Sequence, residues 1–370
     1  MAGIYLHIPF CKKACHYCDF HFSTSLKYRE RMVECLKREL IQRKDEVEET
    51  ISTIYFGGGT PSILSDKEID GLLNTIDKHY RLQDEPEITL ECNPDDTSRE
   101  KFRHWRISGI NRLSIGVQSF HDTDLQYLGR VHDAEEAKLA LGQARDAGFD
   151  NMTADLIYGI PGGNDERLRQ NIATMLSFQV PHISAYALTV EQGTYLAHAI
   201  AKGKWHEIDE EQQNGQFYLL RDELQKAGLE HYEISNYAMP GYRSQHNGNY
   251  WSRISYLGIG PSAHSYHKGI RRWNVSNNGR YMNAVEAKEH FWESEALGPV
   301  ESYNETVLVS LRKKEGVQLS ELTPYEDFFL AKAPQFMEKG WLIKEGRHFR
   351  STEAGMIWLD RMTEGLFLEE

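Results

Sequence analysis

Three cysteines fall close together near the start of the chain: Cys11, Cys15 and Cys18 in "CKKACHYC". They follow directly on "GIYLHIPF", a short apolar run with strand character. Thiolates at this spacing can fold one tight loop around a metal centre. A structural zinc site takes four ligands, commonly from two close cysteine pairs, and the chain has no second pair. His16 and His21 are near enough to complete a set of four, so zinc remains open on residue types alone. Ferredoxin-type clusters use four cysteines in differently spaced runs. Three cysteines on a [4Fe–4S] cube leave one iron without a protein ligand, and an open iron is a place for a small molecule to chelate.

The elements that must position this loop follow from the pattern of the first half of the chain. Strand signals at 4–8, 52–56, 87–91, 112–117, 152–158 and 182–188 alternate with amphipathic stretches at 27–47, 66–80, 98–107, 133–147 and 165–178. Six such units in succession imply a parallel sheet with helices outside, curled by right-handed crossovers. The expected fold is α/β, a partial (β/α)6 TIM-like barrel over residues 1–230. A His- and aromatic-rich extension follows at 231–300. Helical patterns at 303–314 and 326–339 then precede a hairpin turning at Glu345-Gly346, which predicts a C-terminal α+β, winged-helix-like domain over 301–370.

The ends of the expected strands carry the polar features: the cysteines, "GGGTP" at 57–61, Glu91, Gln118, and Asp155 before "YGIPGG". In parallel α/β barrels that rim is where sites are built. The glycines expose backbone without side-chain obstruction, which suits close approach of a ligand. A tight β–α turn is the blander use of the same residues.

Composition bounds the function. Charged residues make up 26% and the net charge is −13, which argues against a general nucleic-acid binder. The basic run "SLRKKEG" reads as a solvated helix end, so a winged-helix regulator has little support. No apolar run approaches the roughly 18 residues of a membrane span, and no basic segment precedes the first apolar stretch as in a signal peptide. Five cysteines in 370 residues, with Cys35 and Cys92 scattered as packing residues, suit a reducing cytoplasm.

"CKKACHYC" matches C-x3-C-x-Φ-C, with Φ aromatic, and so resembles the signature of the radical S-adenosylmethionine (SAM) enzymes. That resemblance implies a [4Fe–4S] cluster on Cys11, Cys15 and Cys18 whose open iron binds the amino and carboxylate groups of SAM. It further implies reductive cleavage of the sulfonium to methionine and a 5′-deoxyadenosyl radical, with Tyr17 against the adenine. The SAM residues that it implies are Tyr5, Tyr17, Gly58, Gly59, Thr60, Glu91, Gln118, Arg130 and Asp155.

Across the chain, "YLHIPFC", "IYFGGGTPS", "LSIGVQSF", "LGRVH", "DLIYGIPG" and "HNGNYW" resemble the oxygen-independent coproporphyrinogen III oxidase group. Its oxidase members carry a further cysteine two residues after the third cluster ligand, where this chain has Phe20, and an extension ahead of the first strand. "HNGNYW" fits the H-N-x-x-Y-W motif of its heme-chaperone members. The resemblance therefore implies a heme chaperone, with porphyrinogen oxidation as the alternative. Heme contacts are expected from His246, Asn247, Tyr250 and Trp251, with His264 as a second ligand candidate and Arg271 and Arg272 for the propionates. From residue types alone, a polar turn filling an interface explains 246–251 equally well. Implied partners are heme, an acceptor such as a respiratory-chain heme protein, and an electron donor such as a flavodoxin or ferredoxin. Nucleic acid is not expected, membrane contact is expected only through an acceptor, and pairing as a homodimer stays open.

Overall fold

Six parallel strands arise from the six runs with strand patterning: β1 (Ala2–Ile8), β2 (Ile51–Gly58), β3 (Leu82–Cys92), β4 (Arg112–Gln118), β5 (Met152–Tyr158) and β6 (His182–Ala187). The computed structural model describes residues 1–206 and 208–369. Helices Arg29–Gln42, Asp66–His79, Arg99–Ile107, Ala134–Asp146 and Asp165–Ser177 pack outside the sheet. Their apolar stripes explain this. Leu36 and Leu40, Ile69, Leu72 and Ile76, and Phe102 and Trp105 are all buried. Each such side chain removed from water contributes on the order of 1.5–3 kcal/mol. Asp133 and Glu136 close a capping box on the fourth of these helices, satisfying two otherwise orphaned N–H groups.

Residues 231–300 do not stand apart from the barrel. They supply most of β7 (Glu230–Glu233), all of β8 (Asn236–Ala238), β9 (Tyr256–Ile259), β10 (His264–His267) and β11 (Ile270–Asn274), and β12 (Trp292–Ala296). The twelve strands form one sheet in the order β12-β11-β10-β9-β1-β2-β3-β4-β5-β6-β8-β7. β9 runs parallel beside β1, and β8 runs antiparallel beside β6. Short strands rich in Gly and His give little periodicity, so this segment's place in the sheet is set by its neighbours rather than its own pattern.

The C-terminal segment forms a small antiparallel sheet of β13 (Val317–Gln318), β14 (Leu342–Glu345) and β15 (His348–Ser351), with the hairpin at Glu345-Gly346. The helical stretch expected at 326–339 is two pieces, Glu326–Lys332 and Pro334–Glu338. Pro334 has no N–H to continue the first helix.

Alternation along the strands sends every second residue into the barrel, and these inward residues are largely polar. At the starts of the strands, Arg112 lies 4.0 Å from Glu87 and bonds Thr153, and Thr153 is 3.0 Å from His182 Nδ1. His182 Nε2 is 2.7 Å from the Tyr232 hydroxyl. The helix Gln245–Trp251 closes this floor, and Glu87 accepts its Gln245 and His246 N–H groups at 3.1 and 3.0 Å. A carboxylate at a helix N-terminus meets both its orphan donors and its dipole.

Candidate functional site

At the opposite rim, where the strands end, a cavity of about 610 Å³ opens into the barrel. Cys11, Cys15 and Cys18 line it together with Tyr17, Gly58, Gly59, Thr60, Glu91, Gln118, Arg130 and Asp155. Residues from five strand ends and their loops thus meet in one space, as parallel strands with period-two alternation require.

The cysteine loop is held from several sides. The Cys11 N–H donates to the Ser23 carbonyl at 3.1 Å, and the His16 N–H donates to Leu128 at 3.0 Å. Lys12 pairs with Asp96, and with Asp95 at 3.0 Å. Thr60 Oγ1 donates to Cys11 Sγ at 3.4 Å, and Arg130 Nη1 reaches Cys15 Sγ at 3.5 Å. Arg130 also donates to Asn93 Oδ1 at 2.6 Å and the Gly116 carbonyl at 2.8 Å.

Neither histidine completes a zinc site. His16 Nδ1 is 2.8 Å from the Tyr127 carbonyl, and its ring packs on Tyr195 and Trp205. His21 Nε2 is 2.7 Å from Asn278 Oδ1. Among the described residues, no three His, Cys, Asp or Glu side chains are close enough to hold one metal ion. The three thiols line one cavity.

The cavity is rich in buried acids. Burial pushes Glu91 up to about 8, against the hydrogen bond that Tyr55 donates at 2.8 Å. Burial pushes Asp155 up to about 7, with Arg130 and Arg112 opposing and Ser114 Oγ 3.4 Å away. The Cys11 and Cys18 thiols rise to about 11 for the same reason. A site whose acids are held back by desolvation favours a cationic occupant, which would restore their charge.

Two expectations change in detail. The glycines line the cavity and also serve the fold: a Cβ on Gly59 would lie 2.5 Å from the Phe10 carbonyl oxygen. Gly58 has φ +105, and a Cβ there would meet the His7 ring at 2.6 Å. Their bareness lets β2 seat the cysteine loop. Tyr5 sits deeper than the residues that line the cavity, stacked on Tyr55 at 6.1 Å between centroids with its hydroxyl 3.2 Å from His7 Nδ1. Sequence reasoning passed over Asn93, two residues after Glu91, and Tyr186 at the end of β6; both line the cavity.

His246 belongs to the barrel floor, and the expectation of an open heme platform at 246–251 is corrected. Its side chain is buried. Nδ1 is 2.7 Å from Thr53 Oγ1, and Nε2 is 2.8 Å from the Tyr250 hydroxyl, so both ring nitrogens are committed. Burial, then Arg112, lowers His246 to about 3, which keeps the imidazole neutral. The Asn247 N–H donates to the Ser244 cap, and Trp251, half-buried, ends the helix. The propionate role of Arg271 and Arg272 is also corrected. Arg271 pairs with Glu305 at 2.6 Å and Glu295 at 3.5 Å, and Arg272 with Glu46 at 2.9 Å. Adjacent residues on β11 point to opposite faces, where each meets its own carboxylate. Cys35 is buried against the Met282 carbonyl at 3.7 Å, as a packing residue.

A barrel of parallel strands with three cysteines in the loop after β1 defines a radical SAM protein, and the Radical SAM superfamily family model matches residues 5–175. The heme chaperone HemW of Bacillus subtilis is 35% identical over 321 residues, covering 86% of this chain and 85% of that protein. HemW of Lactococcus lactis is 31% identical over 99% of this chain and 97% of its own length. The solved structure of coproporphyrinogen III oxidase (HemN) from Escherichia coli, a radical SAM enzyme, shares the fold at a TM-score of 0.85. It covers 99% of this chain and 90% of its own at 20% identity. The chain belongs to the HemW family.

Proposed function

We propose that this protein is a heme chaperone that holds heme and passes it to an acceptor protein, with a [4Fe–4S] cluster and SAM controlling the handover. The similarity to proteins named heme chaperone HemW, which runs through nearly the whole chain, carries this reading.

Cys11, Cys15 and Cys18 would hold the cluster, and the cavity beside them would take SAM. When bound, the cluster supplies an electron to the sulfonium. Arg130 Nη1 lies 3.5 Å from Cys15 Sγ, and Thr60 donates to Cys11. Glu91 and Asp155 provide buried negative charge for a ligand that carries a sulfonium and an ammonium. Tyr17 and Gln118 complete the wall, and Tyr5 supports it from below. Free thiols in this role need a reducing compartment, which fits the cytoplasm. No helix among the described residues is long and apolar enough to cross a membrane. The electron donor is of the flavodoxin or ferredoxin class.

The test uses anaerobically reconstituted protein. Titration should give one heme per chain, and an apo heme protein should acquire that heme at a rate that depends on SAM. Incubation with coproporphyrinogen III, SAM and reductant should give no protoporphyrinogen. Protoporphyrinogen formation without heme binding would replace the chaperone by the oxidase.

A further inference from the structure

A second large cleft lies at the β12 end of the sheet, on the same rim as the cysteine loop. It measures about 850 Å³, within the roughly 300–1,000 Å³ usual for small-molecule and cofactor sites. Its walls are unusual for an acidic protein: His264, Trp273, Arg280, His290, Phe291 and Trp292 all face it, alongside Glu289 and Glu293. His264 pairs directly with Trp273 across β10 and β11, and their rings stack with centroids 6.3 Å apart. His290 lies against Trp292 at 4.2 Å, and Phe291 meets Trp292 edge-on at 5.1 Å.

We propose that this cleft holds the heme, with His264 as the iron ligand, Trp273 as a wall and Arg280 meeting a propionate. The assignment rests on the chaperone reading. A flat, largely apolar macrocycle needs an imidazole, aromatic faces and a cation at its rim, and the cleft brings these together. Among the described residues, neither the His264 ring nor the Arg280 guanidinium has a hydrogen-bond or ion-pair partner, whereas both nitrogens of His246 are taken. Partial desolvation of this largely exposed ring, then Arg271, lowers the His264 pKa, which favours the neutral form that can ligate iron. The cleft is also tied to the cluster loop. His21, three residues after Cys18, bonds Asn278 at the start of the helix Asn278–Ala287, which bears Arg280. Heme held here would rest against an element that the cluster loop itself positions.

Heme titrations followed by the Soret band and by electron paramagnetic resonance of the ferric form test this. The full-length wild type, His264→Ala, His290→Ala and His246→Ala proteins are compared. His264→Ala should shift the Soret maximum and weaken binding by about tenfold or more, and the exposed position keeps the fold intact. Trp273→Leu, which leaves the ligand in place, should weaken binding without changing the ligand signature. His246→Ala should leave the Soret band unmoved wherever the protein folds. Unchanged spectra and affinity in both His264→Ala and His290→Ala would overturn the cleft assignment while the chaperone reading stands. No heme binding by the wild type would instead overturn the chaperone reading itself.

Discussion

The two ends of the barrel use the same strands and the same alternation, yet they treat buried polar groups in opposite ways. At the floor, Glu87, Thr53, His182 and His246 each find neighbours within hydrogen-bond reach, and Arg112 lies between Glu87 and Thr153. At the rim, Asp155 is half-buried with a 3.4 Å contact from Ser114, Glu91 accepts from Tyr55 at 2.8 Å, and desolvation raises the pKa values of both acids and of Cys11 and Cys18. Polar groups enclosed by protein partners rigidify a fold, and those that open on a cavity can meet a ligand. This difference, rather than the presence of histidines or aromatics, separates scaffold from site.

The sharpest break of the comparison is at the rim. Cys11→Ser should abolish the broad visible absorption of the reconstituted protein and most of its iron, whereas Cys35→Ser should leave both unchanged. Equal iron loss in the two variants would undo the ligand assignment.

Next in size is the floor. Glu87→Leu strips Arg112 of its carboxylate inside the barrel and uncaps the helix Gln245–Trp251. Loss of one partner from a buried pair costs about 3–5 kcal/mol. Denaturant unfolding should show that loss, while SAM binding by the molecules that remain folded should hardly change.

Gly59→Ala tests whether the glycines serve the fold or the ligand. A Cβ there collides with the Phe10 backbone, and overpacking of this kind costs about 1–3 kcal/mol. The variant should lose stability even without cluster and SAM. Undiminished apoprotein stability together with weakened SAM binding would return Gly59 to a ligand-clearing role.

A further, graded effect is in pH. Glu91 and Asp155 have folded-state pKa values of about 8 and about 7, above their ordinary values. The folded state therefore binds more protons than the unfolded one through this window, so apoprotein stability falls as pH rises from about 5 towards 8. A cationic ligand prefers the ionised acids, so SAM affinity should rise over the same range and level off above about 8. Glu91→Gln should shallow both slopes and Glu91→Gln with Asp155→Asn should flatten them; thermal melts and calorimetric titrations at several pH values would show a slope persisting in the double variant if another group were responsible.

The strand and helix pattern was legible because period-two and 3.6-residue repeats survive in "MTADLIY" and around Leu36 and Leu40. The cysteine loop was legible as a metal-binding loop from its spacing, and as a cluster loop through the resemblance that this spacing carries. His246 was misplaced because a motif carries no information about which end of a barrel it faces; that is fixed by Glu87 and Thr53, more than 150 residues earlier. The same holds for Gly59, whose neighbour is the Phe10 backbone, and for Tyr186, which reaches the cavity only because β6 stands beside β5. Long-range contacts decided each of these, and local sequence does not encode them.

The lashings of the cysteine loop bear on how the protein is made. Lys12 on Asp95 and Asp96, Cys11 on Ser23 and His16 on Leu128 assemble the thiol cage from ordinary protein contacts. Classical zinc fingers, by contrast, are unfolded until their metal arrives. Here contacts that involve no sulfur share that work, so the shape of the loop is divided between the cysteines and their neighbours.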